Sequence, residues 1–323
     1  VPDRAPLTIP TIDVAPAVEG HDLDTVAAQL GAVARSVGFV QVVGHGIDPA
    51  LFDAVHDGAD RLWSMDDDAL RAMRSPTGHP FRGVDLGVDE HGDRIWQRLQ
   101  NVRIDTAEEA AAVGVDPAHL DFFGGNVHPP VPGLRDAIDA CSAEGRRLGM
   151  LLVSLFAIDL GLTPDALSRW FENDVSYFAV QDYPPMGHAA PGAMRIPEHS
   201  DSGAVTLLHQ RGGYEGLQVR AVDGRRTTVP VVEGALVVNT GDLMARWTND
   251  LYPATPHAVI DGPVGEGRAT IAMHLLPGVD TVIAPLPGLV GDDEPRYPPV
   301  SMYDWDRRYF EKRSLVLSLA DEA

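Results

Sequence analysis

The chain has 323 residues, 44% of them hydrophobic and 22% charged, a balance that excludes collagen-like, coiled-coil and disordered chains. Its formal net charge of −22 would repel a phosphate backbone and argues against a nucleic-acid partner. No apolar run approaches the roughly 18 residues of a membrane span, which argues against a membrane partner.

Length allows either two domains or one β-sandwich or barrel with helical additions. The single cysteine, Cys141, excludes an intrachain disulfide and a cysteine-based zinc site, and reads as a small apolar residue on a helix. The first ten residues show no basic region ahead of an apolar stretch, so a cytoplasmic protein is expected. Lys312 is the sole lysine; such arginine bias commonly accompanies a GC-rich genome.

In chain order, residues 22–37 carry Leu23, Val26, Leu30, Val33 and Ala34 at helical spacing, and Gly38 stops the helix. Phe39, Val40, Gln41, Val42 and Val43 then read as a buried strand closed by Gly44 and Gly46. A second helix is predicted over 49–63 and the longest over 133–160. Thr163 as N-cap with Pro164 at the first helical position predicts a short helix to Trp170. The first half thus reads mainly helical. From Val175 the period changes: 176–180, 204–208, 217–219, 235–239 and 270–275 are short β-rich runs separated by Gly, Pro and Asp clusters. That is the pattern of an antiparallel sandwich or barrel. Residues 301–313 read as a closing amphipathic helix. The fold class expected is α+β with a mainly β core.

Two of the three His-x-Asp pairs stand out among twelve histidines. His91 and Asp93 lie in a run without apolar alternation and read as a solvated turn. His199 and Asp201 immediately precede a good strand, and residues two apart on an extended chain face the same way. His257, in an extended segment that returns to the sheet, offers a third ligand. Two imidazoles and a carboxylate on one face of an octahedral ion leave positions open, which suits Fe(II) that must bind a cosubstrate and O2. A catalytic zinc has the same ligand types, but no nearby Glu suggests a general base of the zinc-protease kind. Farther on, Arg268, Thr270, Ala272 and His274 alternate and share a strand face. An inward arginine beside a hydroxyl would focus positive charge on a small dianion; a surface ion pair with Asp261 or Glu266 is the plain alternative.

Several motifs occur in one order: His199-x-Asp201, Thr206-Leu207-Leu208, Gly216-Leu217-Gln218-Val219, Val238-Asn239-Thr240-Gly241-Asp242, Trp247-Thr248-Asn249, Thr255-Pro256-His257 and Arg268-x-Thr270. With Ile9 to Asp13 and Gly38 to Ile47 at the start, the chain resembles the isopenicillin N synthase-like 2-oxoglutarate/Fe(II) oxygenases over roughly residues 8–285. The resemblance implies a double-stranded β-helix, or jelly roll, flanked by helices. It divides the chain into an N-terminal helical and strand region (1–120), a long helix and connector (121–173), the jelly-roll core (174–285) and a C-terminal helix (286–323).

It also implies that His199, Asp201 and His257 hold Fe(II), and that Arg268 and Thr270 hold the far carboxylate of 2-oxoglutarate. Tyr183 falls where a family tyrosine contacts this cosubstrate. Thr270 stands where serine is usual, and Gln181 where asparagine is. His274 replaces a common aromatic and is read as a substrate contact, with a core histidine as the alternative. Phe81 and Arg82 fall in the segment that often lines the substrate mouth, and Arg82 is read either as meeting an anionic substrate or as a surface arginine. His45 and His209 read as structural.

The activity implied is O2-dependent oxidation of an unactivated C–H bond in a small molecule, coupled to decarboxylation of 2-oxoglutarate. Hydroxylation is favoured because Asp201 keeps the carboxylate that related halogenases lack; desaturation or ring closure are further outcomes. Bacterial natural-product biosynthesis is the setting suggested by the arginine bias and the family. Two alternatives stay open: an oxidase of the same family that dispenses with 2-oxoglutarate, and a catalytically silent jelly-roll binding protein.

Overall fold

β-branched runs bounded by glycine and proline assemble into two sheets, one long and one short, that face each other across a cavity. The computed structural model describes residues 7–187, 193–290, 294–308 and 311. The strands in chain order are β1 (Thr11–Asp13), β2 (Phe39–Val43), β3 (Gly83–Val88), β4 (Arg94–Val102), β5 (Tyr177–Tyr183), β6 (Met194–His199), β7 (Val205–Gly212) and β8 (Leu217–Arg220). Then follow β9 (Arg226–Thr228), β10 (Leu236–Thr240), β11 (His257–Ile260), β12 (Arg268–Leu275), and the short pair β13 (Val282–Ile283) and β14 (Val300–Ser301). The long sheet runs β1-β2-β10-β7-β12-β5-β4-β3, and the short one β6-β11-β8-β9. Apart from the parallel β1–β2 pair, neighbours in both sheets are antiparallel. This is the expected jelly roll flanked by helices.

The helices are α1 (Ala15–Val18), α2 (Leu23–Ala34), α3 (Pro49–Trp63), α4 (Asp67–Arg71), α5 (Ala107–Ala112), α6 (Leu134–Asp159), α7 (Asp242–Trp247) and α8 (Pro287–Val290). Helix α6 buries Ile138, Cys141, Gly145, Leu148, Leu152 and Phe156 at three- and four-residue spacing. A Cβ on its Gly145 or Gly149 would collide with Met273 or Leu275 of β12. These two glycines therefore let the helix settle directly behind the strand that carries Arg268, Thr270 and His274. None of the described helices is long and apolar enough to cross a membrane.

The helical expectations hold for α2, α3 and α6, and the first half is mainly helical, though less exclusively than the pattern suggests. It contributes four strands, and β3 and β4 form a hairpin at the edge of the long sheet. The hairpin escaped the sequence pattern because β4 turns polar side chains, Arg98 and Gln100, toward the cavity, so the apolar-inward alternation is lost. Its turn is the His91-Gly92-Asp93 segment, where Asp89 Oδ1 accepts from the His91 and Asp93 amides at 2.9 and 2.8 Å and His91 is exposed. The segment after Pro164 is a turn followed by a 3₁₀ helix at Ser168–Phe171; i→i+3 bonds replace α-helical ones and bring Leu167 and Phe171 into the core. The closing helix is met over residues 302–308; apart from Glu311, residues 309–323 lie outside the described residues.

On the helix side of the long sheet, His209 of β7 stacks on Phe52 of α3 with ring centroids 4.2 Å apart. Its Nδ1 lies 3.2 Å from His56 Nε2. Burial, with Arg211 and His209 nearby, pushes His56 down to about 3. Burial pushes His209 down to about 4 against the opposing pull of Asp53. Both imidazoles are therefore neutral in the fold, whereas in the unfolded chain each takes up a proton near pH 6.5. The unfolded state binds more protons between those limits, so stability falls as pH drops below about 6.5. Urea midpoints near pH 7 and pH 5 check this. The midpoint should be lower at pH 5, and His56→Gln should shrink the difference; a difference untouched by the substitution would contradict the pair's role.

Candidate active site

His199 closes β6, and His257 opens β11 directly opposite it in register. Asp201 sits in the turn that leads into β7. From His257 Nε2 and His199 Nε2 to Asp201 Oδ1 the distances are 3.7 and 4.0 Å. One ligand atom from each of the three residues lies within 4.8 Å of the others. These separations are too long for hydrogen bonds and suit three donors around one ion.

The surroundings prepare each donor. His199 Nδ1 lies 2.9 Å from the Pro197 carbonyl and His257 Nδ1 lies 3.1 Å from that of Thr255. Because a carbonyl only accepts, each Nδ1 carries the proton and each Nε2 keeps its lone pair for a metal. Asp201 Oδ2 accepts from Thr206 Oγ1 at 2.7 Å and Asn239 Nδ2 at 2.8 Å, which leaves Oδ1 facing the imidazoles. Burial pushes the Asp201 carboxyl up, but His257, His274 and His199 together with the Asn239 hydrogen bond hold it well below the usual range. Burial also lowers His257, against the pull of Asp201, and so favours the neutral ligand form.

The loop after β10 clasps the same turn, with Asp242 N donating to the Asp201 carbonyl at 2.8 Å. A Cβ on Gly241 would sit 2.6 Å from that carbonyl oxygen, so the close approach requires glycine. Removing an outer partner should loosen the metal without abolishing the site. Asn239→Ala is expected to weaken Fe(II) affinity about 10- to 100-fold, read by anaerobic titration. Unchanged affinity would show that Asn239 does not orient Asp201.

On the facing sheet Arg268 is 4% exposed and donates from Nη2 to Gln210 Oε1 at 2.8 Å. Its guanidinium carbon lies 5.2 Å from the Tyr183 ring centroid and 6.0 Å from that of Tyr214. Among the described residues no carboxylate pairs with it. Asp261, the partner expected for a surface ion pair, binds Arg195 instead at 2.8 Å. Burial lowers the Arg268 pKa while the two tyrosines oppose it. A buried guanidinium without an anion is costly. Thr270 follows on the same strand face, Tyr183 pairs with Arg268 in register, and all three share with the triad a cavity of about 250 Å³.

Residues 9–120 match the family profile described as non-haem dioxygenase in morphine synthesis N-terminal, and residues 175–277 that of the 2OG-Fe(II) oxygenase superfamily. Jasmonate-induced oxygenase 2 of Arabidopsis thaliana is 30% identical over 290 residues, which are 88% of this chain and 73% of that protein. The chain belongs to the 2-oxoglutarate/Fe(II) oxygenase family. 2-Oxoglutarate-dependent dioxygenase 11 of Oryza sativa subsp. japonica is 25% identical over 309 residues, 95% of this chain and 82% of that one. Among solved structures, JOX2 in complex with 2OG, Fe and JA superposes with a TM-score of 0.73 at 28% identity, covering 94% of this chain and 85% of that one. The dioxygenase for auxin oxidation in rice also gives 0.73 at 24% identity, covering 94% and 95%, a likeness of fold.

The oxygenase is a 2-oxoglutarate- and O2-dependent dioxygenase that uses Fe(II) to oxidise an unactivated C–H bond of a small molecule. Its donor set of two neutral imidazoles and one carboxylate, with no thiolate, fits that ion.

Beyond the triad, His274 lines the cavity, stacks on Tyr177 at 4.3 Å, and places Nδ1 3.1 Å from Thr206 Oγ1. The Thr206 proton is used on Asp201, so its lone pair accepts from His274 Nδ1–H, and the imidazole supports the metal ligand from behind. Burial pushes His274 down to about 4 against the pull of Asp201. Phe81 also lines the cavity and stacks on Tyr177 at 4.3 Å. Arg82 does not reach the cavity. Its guanidinium donates to the Ile104 and Asp105 carbonyls and to Asn126 Oδ1, so it is a buried residue of the turn ahead of β3, neither a cavity residue nor a surface one. His45 serves a turn, its Nδ1 accepting from Ile47 N at 3.1 Å.

Sequence reasoning missed the parts played by Thr206 and Asn239, although both stand in motifs it singled out. It missed Arg98, Gln100 and Tyr177 altogether. Strand alternation in β4 was the available signal, and it went unread because the inward residues are polar.

Proposed function

We propose that Arg268 and Thr270 bind the far carboxylate of 2-oxoglutarate, with Tyr183 flanking the guanidinium. We propose further that a small molecule is hydroxylated at the end of the cavity walled by Phe81 and His274, in a biosynthetic, natural-product role within the cytoplasm. The observation that carries this reading is the buried Arg268 with no carboxylate partner among the described residues, in one cavity with the triad. The lone cysteine, buried on α6, suits a reducing compartment. The 2-oxoglutarate family and the arginine bias support a bacterial biosynthetic setting.

Bound Fe(II) supplies the centre at which O2 is reduced while 2-oxoglutarate is oxidatively decarboxylated to succinate and CO2. The chain's own residues do the rest by position. Arg268 and Thr270 fix the distal carboxylate, which aims the keto-acid end toward the triad. His199, Asp201 and His257 would hold the ion and leave it positions for further ligands. The apolar walls, Phe39, Leu217 and Val259 among them, keep water from the reacting atoms. Asp201 fills the carboxylate position, which favours hydroxylation over halide transfer.

Incubating the protein with Fe(II), ascorbate, air and a panel of small metabolites tests this. Succinate should form in step with product. Product without succinate would mean that Arg268 grips the substrate's own carboxylate, and turnover without O2 would discard the oxygenase reading.

A further inference from the structure

We propose that the substrate is a small carboxylic acid, held by its carboxylate against Arg98 and Gln181 with its apolar body over Ala179 and Ala272. This rests on Arg268 and Thr270 being occupied by 2-oxoglutarate.

The cavity floor is a matrix of inward side chains set by strand register. One row reads Thr270, Gln181, Arg98 across β12, β5 and β4; the next reads Ala272, Ala179, Gln100. A third, His274 and Tyr177, carries stacked rings. The two alanines leave a trough between a polar row and an aromatic row, and all of these residues line the one cavity.

Two donors in the polar row have no acceptor. Arg98 lays its guanidinium over the Trp96 ring at 4.8 Å and donates Nη2 to Asp85 at 3.2 Å. Its Nε is buried without a partner, and so is Gln181 Nε2. The two residues are paired in register on neighbouring strands, so both unmet N–H groups belong to one patch. Asp85 already balances the guanidinium charge; what is missing is an acceptor for Arg98 Nε and Gln181 Nε2, and buried donors left unpaired carry a desolvation cost that an acceptor removes. Asp85 occupies a single nitrogen of a five-donor fork and holds the fork in place. In a chain of net charge −22, an anion would enter this interior only where such a fork waits for it. Arg98 stands two strands from Thr270, about 10 Å along the sheet, with Gln181 between them, so the substrate carboxylate lies on the Arg98 side, away from Arg268.

The holoenzyme loaded anaerobically with Fe(II) and 2-oxoglutarate is titrated by calorimetry with hexanoate, phenylacetate and 3-phenylpropionate, and with their primary amides. At least one acid should bind, and at least about tenfold more tightly than its amide, as expected when a buried charge partner is satisfied. Arg98→Gln should erase that preference and leave the dissociation constant of 2-oxoglutarate unchanged. Equal binding of acids and amides, no binding by any acid, or a preference that survives Arg98→Gln would overturn the proposal. The comparison of acid with amide in the unsubstituted protein decides the matter even if the variant does not fold. Failure of 2-oxoglutarate itself to bind would instead overturn the underlying functional reading.

Discussion

Asp201→Ala is expected to lose at least about 10³-fold in turnover, because the metal it helps hold contributes several kcal/mol of transition-state stabilisation. The loss should come with the loss of stoichiometric Fe(II) binding and with an unchanged far-UV circular dichroism spectrum. The fold survives because the substitution strands only Thr206 and Asn239, which lose their shared acceptor. An unsatisfied buried group costs about 1–3 kcal/mol, less than the roughly 5–15 kcal/mol that holds a native domain together. His257→Ala should behave alike in activity, since its Nε2 is the second buried donor to the ion. A variant that kept Fe(II) and a tenth of its turnover would show that the triad is not the metal site.

The second large effect concerns Arg268. Truncating one partner of a buried, hydrogen-bonded charge pair costs about 2–5 kcal/mol. Arg268→Ala should therefore raise the KM for 2-oxoglutarate by roughly 30-fold to several thousandfold, while the affinity for Fe(II) stays as it was. Steady-state kinetics at varied 2-oxoglutarate checks this. An unaltered cosubstrate KM would place the distal carboxylate elsewhere.

Much of this site could be read from the chain because its signals are local. His199 and Asp201 are two residues apart at the head of an apolar strand, and Arg268, Thr270 and His274 alternate along a single strand. Helix α6 was legible for a related reason: its buried stripe repeats for 26 residues, long enough for periodicity to outweigh noise. What resisted reading depends on pairing between distant segments. Asn239 reaches Asp201 only because β10 lies beside β7 in the long sheet. The inward direction of Arg98 follows from the register of β4 on β5, and its polar neighbours hide the strand period. Arg82 misled because its nearness to Phe81 in sequence says nothing about its direction. β6 was missed as well; Arg195, Pro197 and Glu198 interrupt any apolar alternation there.

The most direct measurement is an anaerobic titration of the metal-free protein with Fe(II), followed by 2-oxoglutarate. Uptake of one ferrous ion per chain, and the appearance of a visible charge-transfer band only after the keto acid is added, is the result expected from three converging ligands beside a buried guanidinium. No uptake, or uptake that persists undiminished in His199→Ala, would contradict it.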